Sequence, residues 1–323
     1  MFKKPPFEIT PQIVDHIQNI FLLLGRLGQN SFKVHGDIKL CKANSIRSIK
    51  SSMAIEGNSL SLDQVTDILN GQKIIAPKKD ITEVKNAISV YEKFDEFDAF
   101  VLNSLLHAHK LMMTDLGEAA GNFRTGGVGI FKGNEAIHIA PPYLEVSGLL
   151  ANLFAYLKDS NDSLLIKSCV FHYEFEFIHP FNDGNGRIGR LWQQLILSKL
   201  HSVFKLVCVE ELLEKYQIEY YEALHNSDLA GSSELFIEFM LGVILEALRK
   251  TSSNIKMSIG NNFMDRLIYA KNFIDNFKRS EYLQLISGIS TATASRDLLN
   301  GVKNGTLKKV NSGNQAIYVF TKI

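Results

Sequence analysis

The stretch Phe177-Ile178-His179-Pro180-Phe181-Asn182-Asp183-Gly184-Asn185-Gly186-Arg187-Ile188-Gly189-Arg190 joins two segments with helical patterning, Ser163 to Ile178 and Ile188 to Leu200. A proline at 180 disfavours helical geometry at the residue before it, so the first helix is expected to close at Ile178. The Asn, Asp and Gly residues that follow make a turn, and the next helix opens near Gly186. A helix N-terminus presents N–H groups with no partner in the helix and carries a partial positive charge. Gly184 and Gly186 let backbone approach a bound anion with no side chain in the way, so phosphate is the natural ligand.

The other side chains of the stretch suit that ligand. Arg187 and Arg190 are three residues apart on the first turn of the second helix, where two guanidinium forks share neighbouring positions and can grip successive phosphates. Asp183 offers a hard oxygen for a Mg²⁺ (or Mn²⁺) ion that bridges phosphates. His179, just ahead of the loop, is placed to take a proton from an incoming hydroxyl. A capped helix start with a structural histidine would use some of these residues. It would not call for a base, a metal ligand, an anion nest and two arginines within fourteen positions.

Residues 179–190 resemble the signature of the Fic family, His-Pro-Phe-x-x-Gly-Asn-Gly-Arg-x-x-Arg, without a departure. The resemblance implies a protein adenylyltransferase, in which a hydroxyl of a target protein, or of the enzyme itself, attacks the α-phosphate of ATP and releases pyrophosphate. It implies His179 as general base, Asp183 as metal ligand, and Gly184, Asn185 and Gly186 as the cradle of the α- and β-phosphates. Arg187 and Arg190 would hold the β- and γ-phosphates, with Phe181 packed inward beneath the loop. Relatives that act as kinases carry Lys where this chain has Gly186, which favours AMP transfer.

Upstream, Ser51-Ser52-Met53-Ala54-Ile55-Glu56-Gly57-Asn58 places Ser52 and Glu56 four apart, on one face near a helix end, with Gly57 as the stop. A glutamate there opposes the helix dipole and suggests a cationic partner. The segment resembles the family's Ser/Thr-x-x-x-Glu-Gly/Asn inhibitory motif. By that resemblance Glu56 would pair with Arg190 and keep the γ-phosphate from seating, while removal of AMP from a target stays open as a second activity.

Between Gly121 and Pro142 the patterning changes to short alternating segments around Lys132-Gly133-Asn134, read as a β-hairpin with strands over 126–130 and 137–142. It stands where the family has its flap, and Val128, Gly129 and Ile130 are the expected edge for docking a target segment. His107 and His109 face apart on a helix, and His172 lies among aromatic residues; all three are expected to be structural.

Residues 249–260 are polar and Ser-rich and read as a linker. Beyond them come helices over Phe263 to Phe277, Tyr282 to Ile286 and Ser290 to Asn304, then two strands about Asn311-Ser312-Gly313-Asn314, the order of a winged helix-turn-helix. From Asn261 onward nine Lys and Arg stand against four Asp and Glu, a surplus hidden by the whole-chain charge of +1. Arg296, Lys303, Lys308 and Lys309 are the candidate DNA contacts. The rival to the enzyme is therefore a transcription regulator that senses nucleotide and binds DNA through this tail.

The full expectation for the 323 residues is a mainly α protein, a Fic-type helical bundle with a hairpin flap and a C-terminal winged helix. Its segments are an N-terminal helical region with the inhibitory helix (1–95), a catalytic core (96–250) and the winged helix (256–323). Three scattered cysteines, Cys41, Cys169 and Cys208, argue against a disulfide framework or zinc site. No apolar run is long enough for a membrane span, so the expected location is the cytoplasm. The identity of the target protein is not encoded in a motif, and a second copy of the chain is an open partner.

Overall fold

A computed structural model of the chain describes residues 2–28, 38–117, 119–132, 135–259, 263–271, 274–286, 289–311 and 316–321. They form two compact units, one of residues 1–20 and 37–247 and one of residues 21–36 and 248–323. Most of the expected N-terminal region, residues 1–20 and 37–95, and residues 96–247 of the expected core fall in the first unit, while residues 21–36 fall in the second.

The first unit is built on a helical hairpin, α7 (Leu164–Ile178) and α8 (Asn185–Leu200). The Ser163 hydroxyl caps α7 by accepting from the Ile166 N–H at 3.3 Å. α7 is apolar around most of its circumference, as an enclosed helix tends to be, whereas α8 buries Asn185, Arg187, Arg190, Gln193 and Gln194 beside its apolar residues. Phe171, Phe175, Ile188, Trp192 and Ile196 have no exposed surface, and each such side chain contributes about 1.5–3 kcal/mol by leaving water. The Trp192 indole donates to the Ala99 carbonyl at 3.0 Å, so its one polar atom is satisfied in the core.

The same unit holds residues 11–20 of α1 (Pro11–Gly28), together with α2 (Ile38–Ile55), α3 (Leu62–Leu69), α4 (Lys78–Glu92), α5 (Leu102–Met112) and α6 (Val146–Asp159), of which α2, α5 and α6 pack on the hairpin. Between α5 and α6, β1 (Gly129–Lys132) pairs antiparallel with β2 (Glu135–Ile139), with a register shift between Ile130 and Phe131. The hairpin therefore exists, but its strands lie closer to the turn than expected: Gly126 to Val128 precede β1, and Ala140 to Pro142 follow β2. Residues 133 and 134, at its tip, lie outside the described residues. The single helix expected over Leu212 to Leu224 is two, α9 (Val209–Lys215) and α10 (Gln217–Ala230), because the chain leaves helical geometry at Tyr216.

The polar stretch 249–259 is no linker: it is helical and completes α11 (Glu234–Ile259). Ser and Asn are weak helix formers but do not break a helix that apolar residues have already nucleated.

In the second unit the order is α12 (Phe263–Lys271), β3 (Asn276–Lys278), α13 (Arg279–Leu285), α14 (Thr291–Lys303), β4 (Leu307–Val310) and β5 (Ile317–Phe320). The helix expected to run to Phe277 ends at Lys271, and Phe277 lies in a strand, where its ring packs against Tyr282, Tyr318 and Phe320. β5 lies between β3 and β4 in an antiparallel sheet. Residues 312–315, most of the expected turn between β4 and β5, lie outside the described residues. Gly301 of α14 lets the helix pack closely, since a Cβ there would come within 2.6 Å of the Leu267 side chain and 2.8 Å of Leu307, which would have to move aside.

One charge pair is sealed into this small core. Arg266 of α12 grips Asp297 of α14 through Nε at 2.6 Å and Nη2 at 2.7 Å, and the Tyr282 hydroxyl donates to the same carboxylate at 3.2 Å. Removing one member of such a pair strands the other charge away from water, at a cost of about 3–5 kcal/mol. Asp297→Ala should therefore accelerate hydrogen exchange of the α12 and α14 amides by the equivalent of that loss; exchange unchanged from the parent would show that the pair contributes nothing.

Candidate active site

The loop between α7 and α8 is held rigidly by its own residues. His179 takes left-handed geometry (φ 48°) and ends α7, and Gly184 takes it again (φ 87°) and starts α8. Between them Asn185 bonds Phe181 twice, accepting from its N–H and donating to its carbonyl, each at 2.9 Å. A Cβ at Gly184 would lie 2.8 Å from the Met113 sulfur, so the glycine is required by space as well as by φ. Phe181 is fully buried, its ring stacked on His109 with centroids 3.5 Å apart.

His109, set aside in the sequence as structural, thus lies beneath the loop. The Gly121 N–H donates to its Nδ1 at 2.9 Å, which puts its proton on Nε2, and that atom donates to the Asp183 carbonyl at 2.9 Å. Arg124 is a second residue here that no motif or spacing marks in advance. Buried beside the loop, it donates to the carbonyls of His179 (2.8 Å), Ile178 (3.2 Å), Gly126 (2.8 Å) and Pro141 (2.5 Å). One guanidinium so ties both ends of the hairpin segment to the backbone of His179. Val128 and Gly129 are half-buried at this hairpin, whereas the side chain of Ile130 lies outside the described residues.

The charged side chains converge on the first turns of α8. Arg187, 3% exposed, meets Asp183 at 2.6 Å and Glu83 of α4 at 3.2 Å, and its Nε has no partner among the described residues. Burial alone would raise the Asp183 carboxyl, but the Arg187 guanidinium and the Gly184 N–H outweigh it and hold it below the usual carboxylate range. Its side chain is 56% exposed. Among the described residues no three His, Cys, Asp or Glu side chains gather to hold a metal. Asp183 is thus a single part-exposed carboxylate, a hard oxygen donor that would need further oxygens from outside the protein to complete the shell of a divalent ion.

Arg190 is buried and fully engaged by the end of α2. Its Nε donates to the Ser52 hydroxyl at 3.1 Å, and its Nη2 donates to the Ser52 carbonyl at 3.0 Å and to Glu56 at 2.8 Å. Burial disfavours its charge, but Glu56 more than compensates, and the guanidinium is held above its ordinary range. Gly57 (φ 86°) turns the chain out of α2 just after Glu56. A Cβ at Gly186 would collide with the Glu56 carboxylate, so the glycine at the helix start is also what admits Glu56. Asn58, the next residue, donates to Glu83 at 2.9 Å and links the same loop to the partner of Arg187.

The scan of known families matches residues 99–197 to the Fic/DOC family. A crystal structure of a Fic family protein from Desulfovibrio desulfuricans G20 superposes with a TM-score of 0.74 at 33% identity, over 99% of this chain and 98% of that one. The chain belongs to the Fic family. The protein adenylyltransferase fic-1 of Caenorhabditis briggsae is 28% identical over 223 residues, 65% of this chain and 42% of that protein. This Fic chain therefore spans less than half the length of the curated relatives it matches first. The Fic-1 structure from C. elegans (residues 134–508), at 21% identity and a TM-score of 0.64 over 76% of this chain and 73% of that one, shares the fold.

Behind Arg190 this Fic core carries a buried polar chain. His172 donates through Nδ1 to Gln193 at 2.8 Å and accepts at Nε2 from the Tyr220 hydroxyl at 3.0 Å. Burial pushes the imidazole down to about 3, so it stays neutral in the fold while it titrates near 6.5 in the unfolded chain. Its contribution is complete above pH 6.5 and is lost as pH falls, because the unfolded chain takes up a proton that the fold refuses. The free energy of unfolding should drop by about 2 kcal/mol from this residue between neutrality and pH 5. Urea titrations at pH 7, 6 and 5 check this, with a shallower dependence in His172→Gln.

Proposed function

We propose that the chain transfers AMP from ATP to a hydroxyl side chain of a protein and that Glu56 holds this activity in check. The observation that carries the proposal is the 2.8 Å pair between Glu56 and Arg190 at the anion-binding end of α8. The polyphosphate would lie over the N-terminus of α8, with the Gly184 and Gly186 backbone at its α- and β-groups and Arg187 and Arg190 toward the β and γ. The His179 Nδ1 lies 3.4 Å from the Glu176 carbonyl, which can only accept. With its proton on that nitrogen, Nε2 carries the lone pair that a general base needs.

As the target oxygen bonds to the α-phosphorus, Nε2 takes the hydroxyl proton, the bond to the bridging oxygen breaks and pyrophosphate leaves. A Mg²⁺ ion held by Asp183 would neutralise charge on the phosphates. Much of the acceleration in such a reaction comes from position and charge neutralisation, which a rigid loop and fixed arginines supply. The hairpin, tied to the His179 backbone through Arg124, is suited to hold an extended target segment beside that base. While Glu56 occupies Arg190, the guanidinium meant for the γ-phosphate is already neutralised.

Glu56→Gly protein incubated with ATP and Mg²⁺ should gain the mass of AMP, at many times the rate of the parent, and addition of His179→Ala should cut that gain by about 10²- to 10⁴-fold. Equal incorporation in the parent and in Glu56→Gly would remove the inhibitory role.

A second activity has its own support in the second unit, whose order of helices and sheet suits a winged helix with α14 as the recognition helix. Arg296, Lys303, Lys308 and Lys309 are all exposed there, where phosphate contacts need them. Duplex DNA should shift the full chain in a gel at low salt. Neutralising the four residues to Gln should abolish the shift and flatten its salt dependence; a shift that survives them would assign the contact elsewhere.

A further inference from the structure

The inhibitory end of α2 is the lower half of a longer polar stripe. Asn44, Ser48, Ser52 and Glu56 recur every four residues on one face, and the first three are buried. Ser52 and Glu56 serve Arg190. Ser48 lies about one turn and Asn44 about two turns back from Ser52, and among the described residues neither makes a hydrogen bond to Arg190 or to the α7–α8 loop. The Asn44 side chain donates to the Leu206 carbonyl at 2.8 Å, and the Cys208 thiol donates to the Asn44 carbonyl at 3.2 Å.

The Ser48 hydroxyl donates at 2.8 Å to Glu210, at the start of α9, and Tyr91 of α4 donates to the other oxygen of that carboxylate at 3.1 Å. Glu210 is 1% exposed, so its carboxylate relies on its own backbone N–H and on these two hydroxyls where water does not reach. Further along, Gln217 donates to the Ile55 carbonyl at 3.0 Å, and Lys50 pairs with Glu214. The segment 206–217 therefore grips α2 along its length.

We propose that Glu210 is the positioning residue of the inhibitory helix: through Ser48 it fixes the axial and rotational seat of α2, and so delivers Glu56 to Arg190. A helix transmits such placement because it is stiff. One residue of rotation turns a side chain by about 100°, and one residue of slip moves it about 1.5 Å, either of which takes Glu56 off a 2.8 Å contact. Ser48 lies about 6 Å along the axis from Ser52 and about 12 Å from Glu56, so a substitution there reaches Glu56 through the placement of the helix. The grip on α2 is then where release of the inhibited state acts, a role that rests on the inhibitory function proposed for Glu56.

Two variants of the full chain test this, Glu210→Gln and the milder Ser48→Ala, with Ser48→Thr as the variant that keeps the hydroxyl. Hydrogen exchange of the amides of residues 48–56 should quicken in the first two and match the parent in Ser48→Thr. Transfer of labelled AMP should rise by about 5- to 30-fold in the same two. In a Glu56→Gly background Ser48→Ala should add nothing, because its effect passes through Glu56. Unchanged exchange in both variants overturns the positioning role, as does a rise in transfer that persists without Glu56. If Glu56→Gly itself transfers no AMP, the proposed function fails while exchange at α2 still decides this assignment.

Discussion

Arg190 is a charge placed where water does not reach, and most of the surrounding chain can be understood as the means of keeping it satisfied. A guanidinium has five donors and no way to lose its proton under ordinary conditions, so burying it obliges the fold to bring oxygens to it. Here they come from α2, more than 130 residues earlier in the chain. That requirement accounts for α2 packing in one compact unit with the α7–α8 hairpin, and for Ser52 and Glu56 at the end of α2 standing at a spacing that lets both reach a single arginine.

The neighbouring Arg187 is treated similarly. Asp183 from its own loop and Glu83 from α4 flank it, and Asn58 joins Glu83 to the turn after α2. Both arginines of the anion-binding turn are thus neutralised by carboxylates in the folded chain, yet the two sets differ in kind. Glu83 is buried and fixed by a side-chain amide. Glu56 has a side chain one-third exposed and stands at a helix end beside a glycine turn. A carboxylate in the second setting has far less to lose by moving, so Glu56 is the one suited to exchange with a phosphate.

The loop 177–190 was legible in the sequence because its requirements are local. A proline ends a helix, glycines at fixed offsets permit left-handed turns, and arginines three apart share a face. The helix stop at Gly57 followed from the same kind of rule. Arg124, His109, Glu83 and Glu210 carried no such signal: their partners are backbone carbonyls or side chains dozens of residues away, and only the packing of helices brings them together. The linker expected over 249–259 failed for a related reason, since weak local propensity was overridden by the helix already running into it. In the second unit a strand of three residues, Asn276–Lys278, was too short to declare itself before β5 supplied its hydrogen bonds.

Gly186 shows how closely the proposed inhibition and the proposed chemistry would be joined. At a phosphate-binding helix start a glycine gives the anion access to backbone N–H groups, and here the same missing Cβ leaves the room that the Glu56 carboxylate fills. An inhibitor that occupied some other surface would leave Arg190 bare and would have to overcome its desolvation without compensation. A carboxylate in the place of a phosphate keeps the guanidinium paired in both states, so the two states differ by an exchange of anions rather than by the exposure of a buried charge. The free-energy gap between them can then be small even though each pairing is strong. Under the proposed inhibition, a small gap would let a modest change in the seat of α2 decide which anion Arg190 holds.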